Sequence, residues 1–148
     1  MHIPPPLIAL TLAGAMWLLN RLPFAGRFEL PASELIAGIV LASGVAVAVA
    51  GVLEFRRHRT TVNPIQLDKA SALVTSGIFR LTRNPMYLGL LLVLLGVGAW
   101  LSSLLPFVAA ALFVPTITVL QIRPEEATMQ HLFGDEYTAY RQRTRRWL

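Results

Sequence analysis

The sequence contains long apolar runs that carry no charged side chain. Leu35–Leu53 is the clearest of them, with 19 residues and no Asp, Glu, Lys or Arg. A helix needs about 20 such residues to cross the hydrocarbon core of a bilayer, and inside that core every backbone N–H and C=O must be bonded within the protein. The run therefore predicts a membrane-spanning helix, and it restricts the fold to a helical bundle.

Similar runs recur along the chain and predict four spans. They cover about residues 3–22, 35–55, 86–105 and 106–122, with Ser102, Ser103 and Pro106 marking a tight turn between the last two. Pro115 removes a backbone hydrogen bond within the fourth span and predicts a kink there. We expect an all-α polytopic membrane protein with one domain over residues 1–148, four transmembrane helices and a C-terminal amphipathic helical segment.

The composition agrees with a membrane protein and excludes several classes of function. Apolar residues make up 55% of the chain and charged residues 14%, against about 45–50% and about 25% in soluble domains. The net charge of +5 fits basic residues that flank spans, and we expect no nucleic-acid partner. There is no cysteine, and the three histidines are scattered without metal-ligand spacing, so we expect no metal site.

The distribution of Lys and Arg predicts the orientation in the membrane. Six lie in the loop of residues 56–85, five lie in the tail of residues 123–148, and two lie between the first and second spans. Positively charged loops favour the cytoplasmic side. We therefore expect the loop, the tail and both termini on the cytoplasmic face of the cell inner membrane.

The third span begins with a helix-start signal beside basic residues. Asn84 is a good N-cap because its side-chain oxygen can accept from free N–H groups of the first turn, and Pro85 suits the first helical position. The positive end of the helix dipole then lies near Arg80 and Arg83, an arrangement that suits an anion.

The tail offers acidic groups on the same face of the membrane. Pro124 followed by Glu125 and Glu126 predicts a helix start, and Gly134 predicts its end before a second short helix. A pocket between Arg83 and the two glutamates would have donors for a carboxylate and acceptors for an ammonium or ribose hydroxyls. S-adenosylmethionine (SAM) matches in type. A plain helix cap and a dipole-complementing acidic pair explain the same residues equally well.

Two motif blocks resemble the signature of the integral-membrane methyltransferases, which include isoprenylcysteine carboxyl methyltransferase and the phospholipid N-methyltransferases. The first block is Leu73-Val74-Thr75-Ser76-Gly77-Ile78-Phe79-Arg80, continued by Arg83-Asn84-Pro85-Met86-Tyr87-Leu88-Gly89. The second consists of Glu125-Glu126, Met129, Phe133-Gly134, Tyr137 and Tyr140. Thr61-Val62-Asn63-Pro64 is similar to an upstream element of bacterial members.

The resemblance implies a SAM-dependent membrane methyltransferase and assigns its site. The cofactor-binding residues would be Arg83, Asn84, Pro85, Tyr87, Gly89, Glu125 and Glu126, with Arg83 and Glu126 also catalytic. The glutamates would bind the ammonium or ribose, Asn84 with the following N–H groups would bind the carboxylate, and Tyr87, Phe133 or Tyr137 would stack on adenine.

The acceptor implied by the resemblance is lipophilic, with a carboxylate, an amine or a thiol as the methylated group. Asn84 stands where the eukaryotic prenylcysteine enzymes usually have histidine, and Thr144-Arg145-Arg146 stands where many relatives have Val-Pro. These departures weaken the case for a prenylcysteine substrate.

A second interpretation stays open at this stage. The basic loop and tail could belong to a non-catalytic membrane module that binds anionic lipid or a protein partner. Glycines along the spans permit close helix packing, so a homodimer is compatible with the sequence. Measured SAM binding would separate the enzyme from the non-catalytic module.

Overall fold

The computed structural model describes residues 4–59 and 71–148, and it contains five helices. They are α1 (Pro5–Leu19), α2 (Ser33–Arg57), α3 (Pro85–Leu101), α4 (Leu104–Ile117) and α5 (Arg123–Arg143), with a 3₁₀ turn at Gly77–Arg80 and a π turn at Thr118–Ile122. Extended pairing in the described ranges is limited to an isolated bridge between Arg27 and Ser103. The expected all-α class is confirmed.

In the part of the chain that the structure describes, two helical stretches are long and apolar enough to cross a membrane. They are α2 and the continuous helical stretch Leu104–Arg143. The apolar helices α1 and α3 have 15 and 17 residues, which reach about 22–26 Å at 1.5 Å per residue, less than the roughly 30 Å of a bilayer core. Two of the four expected spans are thus supported by length and composition, and the count of four stays a prediction.

The main core lies between α1, α3 and α4. Met16, Leu94 and Phe113 are fully shielded there, and Ile117 and Ile122 continue the cluster towards the start of α5. Each of these helices is apolar over most of its surface, so close side-chain packing rather than a single amphipathic stripe selects the buried face.

Helix α2 joins the bundle by packing its backbone against α3. A Cβ atom on Gly89 would lie 2.5 Å from the Gly44 carbonyl oxygen, and one on Gly44 would lie 2.7 Å from the Gly89 carbonyl oxygen. The expectation that small residues let the spans approach closely is therefore confirmed at this crossing. The opposite face of α2 exposes Leu35, Ile39 and Val45, as a face towards lipid would.

The helix that starts at Leu104 continues past the irregular π turn into α5. Pro115 lies inside α4, and the departure from α geometry follows at Thr118–Ile122. The expected helix start is present, because α5 begins at Arg123 with Pro124 and both glutamates in its first turn; Ile122 also keeps helical dihedral angles, so the chain is already helical when α5 begins. The wider turn before Pro124 accommodates a residue that has no N–H to donate. Pro106, expected in the turn before α4, lies within α4 itself.

The break expected at Gly134 is present. Gly134 has φ 48° and ψ −120°, and it divides α5 into two segments. The second segment turns back towards the loop that precedes α3. As a result, the end of α2, the start of α3 and the whole of α5 meet at one end of the bundle.

Candidate active site

The loop before α3 is anchored to the end of α2 by a buried carboxylate. The hydroxyl of Ser76 donates to Glu54 Oε2 at 2.6 Å. Gly77 has φ 55°, and a Cβ atom there would lie 2.6 Å from the Glu54 carboxyl carbon. Only glycine fits this contact, because both the space and the left-handed backbone exclude a side chain.

Aromatic residues form the wall next to this anchor. Phe79 is buried and meets the Phe55 ring edge-on, with the ring centroids 5.1 Å apart. The Tyr140 hydroxyl donates to the Phe79 carbonyl oxygen at 2.7 Å, and Tyr137 is buried beside it. Helix α5 is thereby fixed to the loop through its second, post-Gly134 segment.

The last residues of the chain lie along the segment that leads into α3. We call residues 144–147 the C-terminal strap. The Arg83 N–H donates to the Arg145 carbonyl oxygen at 3.0 Å, and the Thr82 hydroxyl donates to the Arg146 carbonyl oxygen at 3.2 Å. These contacts tie the chain end to the start of α3.

Asn84 takes part in the same contact, and this changes its expected local role. Its side-chain amide donates to the Arg146 carbonyl oxygen at 2.9 Å, and its side chain makes no cap hydrogen bond to α3. The expectation that the Asn84 oxygen caps the helix is therefore wrong. The approach of the strap presents a carbonyl acceptor that the amide reaches instead.

Arg83 is the most highly connected side chain of the site. Its Nη1 donates to the carbonyl oxygens of Thr144 at 3.0 Å and Arg141 at 3.2 Å, and its Nη2 donates to Glu126 Oε1 at 2.7 Å. The side chain is only 10% exposed. Its Nε is buried and has no hydrogen-bond partner within the described part of the chain.

Glu126 receives a second arginine from the strap. Arg146 donates from Nε to Glu126 Oε1 at 3.0 Å and from Nη2 to Oε2 at 2.7 Å, the two-point geometry typical of strong arginine–carboxylate pairs. Burial alone would raise the pKa of Glu126, but the hydrogen bonds from Arg146 and Arg83 outweigh it and hold that pKa below its ordinary value. Glu126 is therefore ionised.

Glu125 has the opposite electrostatic environment. Its side chain accepts a short hydrogen bond of 2.5 Å from the Tyr87 hydroxyl. Glu125 lies beyond Ile122, where the apolar stretch formed by α4 and the π turn ends. Burial raises the pKa of Glu125 to about 7, the charge of Glu126 adds to the rise, and the Tyr87 hydrogen bond opposes it. Two adjacent glutamates thus differ in protonation near neutral pH.

Several of these side chains line one cleft, whose empty volume is about 680 Å³ with its open mouth included. Its polar groups belong to Arg83, Asn84, Glu125 and Glu126. Its other lining residues are mostly apolar or aromatic: Phe55, Ala72, Leu73, Val74, Phe79, Pro85, Met86, Tyr87, Met129, Tyr137 and Tyr140. One end of the cleft is charged, and the other is a ring of aromatic and aliphatic side chains.

The cleft brings together six of the seven residues singled out from the sequence. They are Arg83, Asn84, Pro85, Tyr87, Glu125 and Glu126. Gly89 lies instead at the crossing of α2 and α3, against Gly44. Thr61-Val62-Asn63-Pro64 falls outside the described residues.

The sequence interpretation missed the part played by the strap. Arg146 had been noted only as a departure from the family pattern, and nothing in the sequence places it beside Glu126. Phe55 and Phe79 were not selected either, although Phe79 stands within the first motif block. Within residues 4–59 and 71–148, no group of three or more His, Asp or Glu side chains could hold a metal ion.

The fold and the site together define an all-helical protein with apolar helices of membrane-spanning character and a charged, aromatic-walled cleft at one end. The sequence profile of the phospholipid methyltransferase family matches residues 33–136, which include α2, α3 and both motif blocks except Tyr137 and Tyr140. The chain belongs to this family of methyltransferases.

Individual relatives agree with that placement. The chain is 29% identical over 102 residues to protein-S-isoprenylcysteine O-methyltransferase A of Arabidopsis thaliana, an alignment over 69% of this chain and 52% of the relative. It is 30% identical over 105 residues to a probable protein-S-isoprenylcysteine O-methyltransferase of Oryza sativa subsp. indica, over 71% and 55% of the two chains. The chain thus spans about half the length of these plant relatives.

A bacterial relative covers a shorter stretch. An uncharacterized protein of Haemophilus influenzae is 44% identical over 63 residues, which are 43% of this chain and all of that protein. No solved structure matches the chain significantly.

Proposed function

We propose that this protein is a SAM-dependent methyltransferase of the cytoplasmic membrane that methylates a lipophilic acceptor. One observation carries the proposal: the ion-paired group of Arg83, Glu126 and Arg146 lines or borders one cleft and links the family's two motif blocks. The positive-inside count supports a cytoplasmic location of the cleft and of both termini.

The cleft fits SAM in the distribution of its groups, with charged side chains beside apolar and aromatic ones. When Glu125 is protonated, the guanidinium groups of Arg83 and Arg146 and the Glu126 carboxylate leave one net positive charge, which favours the SAM carboxylate. The buried Arg83 Nε is a donor without an acceptor among the described residues, and Phe79 and Tyr137 provide apolar surface for a purine.

Bound SAM would supply a methyl group on a sulfonium, so the protein need not provide a nucleophile. The residues have to orient the donor and the acceptor at about 3–3.5 Å and exclude water. Arg83 and Arg146 hold Glu126 in one orientation, and the strap holds Asn84 against the same wall. These contacts preorganise the polar end before any ligand arrives.

The two glutamates have different roles in this proposal. Glu126 is held ionised by two arginines, so it acts as a fixed acceptor for an ammonium or hydroxyl group. Glu125 has a pKa of about 7, which suits a group that takes a proton near neutral pH. If the acceptor is an amine, Glu125 accepts its proton, and the proton ends on the carboxyl group beside the Tyr87 hydroxyl. A carboxylate acceptor needs no base.

The relatives and the apolar helices around the cleft support the proposal that the methyl acceptor is lipophilic. The named plant relatives act on isoprenylcysteine, and the family is that of phospholipid methyltransferases. Both acceptors carry an apolar tail, and the cleft is bounded by the ends of apolar helices that would admit such a tail from the bilayer. Phospholipid amines and lipophilic carboxylates are therefore the acceptor classes to examine first, with a thiol as a third.

SAM affinity of the detergent-purified protein tests the proposal. We expect saturable binding by the wild type and at least tenfold weaker binding by Glu126→Gln, because that substitution removes the carboxylate that orders both arginines. Asn84→Ala should weaken binding as well. Glu136→Gln is the matched control, since it removes an exposed carboxylate from the same helix and should bind like the wild type.

The possible results separate the competing interpretations. No saturable binding by the folded wild type would overturn the methyltransferase proposal and favour a non-catalytic membrane module. Wild-type affinity in both the Glu126 and Asn84 variants would instead place the cofactor elsewhere. With binding established, incubation of membranes with methyl-labelled SAM would identify the labelled lipid class.

A further inference from the structure

A second, polar depression lies beside the cleft. Its empty volume is about 700 Å³ with its open mouth included, and it is lined by Thr75, Ser76, Arg80, Tyr140, Arg143 and Thr144. These residues come from the loop before α3, the end of α5 and the strap. Three hydroxyl-bearing side chains other than tyrosine and two arginines face one space, and no carboxylate is among the lining residues that the structure describes.

The two arginines keep donors available for an anion. Arg80 and Arg143 are exposed, and neither forms a salt bridge to an acidic residue within the described ranges. Among the described residues, Arg143 donates from Nε to the Ala139 carbonyl oxygen at 3.3 Å. With respect to these residues, both planar guanidinium groups keep donors for the two-point contacts that suit a phosphate group.

The carboxylate of Glu54, which contacts the lining residue Ser76, is already paired with an arginine. The Ser76 hydroxyl donates to Glu54, and Arg57 Nη1 pairs with Glu54 Oε1 at 2.7 Å. Glu54 is buried and is not among the described residues that line the depression. Thr75 thus adds a hydroxyl to a site whose net charge comes from Arg80 and Arg143.

The position of the depression links it to the cleft. Tyr140 lines both cavities, and its hydroxyl is fixed to the Phe79 carbonyl oxygen. One aromatic ring therefore separates an anion-compatible site from the cleft. Next to Arg80, Leu81 is 66% exposed, which is typical of a surface where side chains enter the membrane interface.

We propose that Arg80 and Arg143 bind the phosphate of a membrane phospholipid and so hold its headgroup beside the cleft. The inference deepens the proposed function by naming a phosphate-bearing lipid as the molecule held there, and only that last step rests on the proposed function. The exposed Leu81 next to Arg80 favours a lipid over a free phosphate ion, because a lipid places its phosphate at the depth where apolar and basic side chains meet.

The test uses the full chain in a phosphate-free detergent such as dodecyl maltoside. The probe is dihexanoyl phosphatidylethanolamine below its micelle concentration, with binding followed by broadening of its ³¹P resonance. Inorganic phosphate is titrated in a second arm, and dihexanoylglycerol is titrated in a third as a competitor without phosphate. SAM affinity is measured on every sample.

We expect Arg80→Gln and Arg143→Gln each to weaken binding of the phospholipid by about tenfold, which is the usual effect of losing one charge-assisted contact. Arg123→Gln removes an exposed arginine outside both cavities and should stay within twofold of the wild type. Arg80→Lys keeps the charge and should recover part of the affinity. SAM affinity should be unchanged in all four variants.

Each other outcome contradicts one statement. If Arg80→Gln and Arg143→Gln bound the phospholipid as tightly as the Arg123→Gln control, the proposed phosphate site would be contradicted. Inorganic phosphate binding as tightly as the phospholipid would show a free-anion site and overturn the lipid assignment, and full displacement by dihexanoylglycerol would show that the tail alone binds. If the arginine effects appear but the wild type does not bind SAM, the phosphate site stands and the proposed function fails.

Discussion

The link between the strap and α5 predicts a measurable energetic coupling between Glu126 and Arg146. Arg146→Gln removes the donors that reach Glu126 at 3.0 and 2.7 Å. Glu126 then keeps a single arginine, and the strap loses the side-chain contact that holds it to α5. The backbone contacts of Thr82 and Asn84 with the Arg146 carbonyl oxygen remain, so the strap itself should stay in place.

The size of the coupling follows from the exposure of the two side chains. Hydrogen bonds to charged groups contribute about 1.5–3 kcal/mol each when buried. Glu126 is 11% exposed, but Arg146 is 33% exposed, and solvent screening reduces the contribution of partly exposed ion pairs. We therefore expect a coupling free energy of about 1–2 kcal/mol between the two positions.

A double-mutant cycle measures this coupling. The free energy of unfolding in mixed micelles is compared for the wild type, Glu126→Gln, Arg146→Gln and the double variant. The matched control is a second cycle that combines Glu126→Gln with Arg145→Gln. Arg145 is exposed and contributes its backbone carbonyl, not its side chain, to the contact with Arg83. Its coupling to Glu126 should be below about 0.5 kcal/mol.

The dependence of stability on pH provides the second readout of the cycle. The folded pKa of Glu126 lies below its ordinary value of 4.5, so its contribution is full above about pH 4.5 and is lost as the pH falls through the folded pKa. Arg146→Gln should flatten this acid limb. Additive effects in the main cycle together with an unchanged acid limb would refute the ion-paired arrangement.

Two further predictions concern Glu125 and Gly89. Because the folded pKa of Glu125 is raised to about 7, its protonated carboxyl group contributes stability that is fully present below pH 4.5 and is lost as the pH rises through 7. Glu125→Gln should therefore make stability less dependent on pH between 4.5 and 7, as followed by unfolding at each pH, and an unchanged profile would contradict the assigned burial. Gly89→Ala places a methyl group 2.5 Å from the Gly44 carbonyl oxygen and should cost about 1–3 kcal/mol. Gly38→Ala, with nothing within 4 Å, is its control and should not destabilise the fold, because alanine suits a helix interior better than glycine does; equal stabilities of the two variants would contradict the close crossing of α2 and α3.

The sequence by itself determined the helical class and selected most of the polar residues that line the cleft. Charge-free apolar runs leave helices as the available structure, because backbone groups in lipid must bond locally. The two motif blocks named Arg83, Asn84, Tyr87 and the two glutamates, all of which line the cleft. The break at Gly134 was also readable, because a glycine there permits the positive φ that the turn requires.

The course of the helix after Ile117 depended on tertiary structure. Pro124 next to two glutamates has every local mark of a helix start, yet the chain arrives there already helical. The π turn at Thr118–Ile122 is stabilised by packing of Ile122 in the core, a contact between segments that no local pattern encodes.

The roles of Asn84, Glu125, Glu126 and Arg146 were also decided only in the folded protein. Asn84 looked like a helix cap until the strap offered the Arg146 carbonyl oxygen to its amide. The two glutamates are adjacent in the sequence and chemically identical, but one faces two arginines and the other a buried tyrosine hydroxyl. The two arginines lower the pKa of Glu126, whereas burial raises the pKa of Glu125 against the effect of the Tyr87 hydrogen bond. Tyr87 and Arg83 lie 38 or more residues away from the glutamates they contact, so the sequence names the ionisable groups while the fold sets their charge.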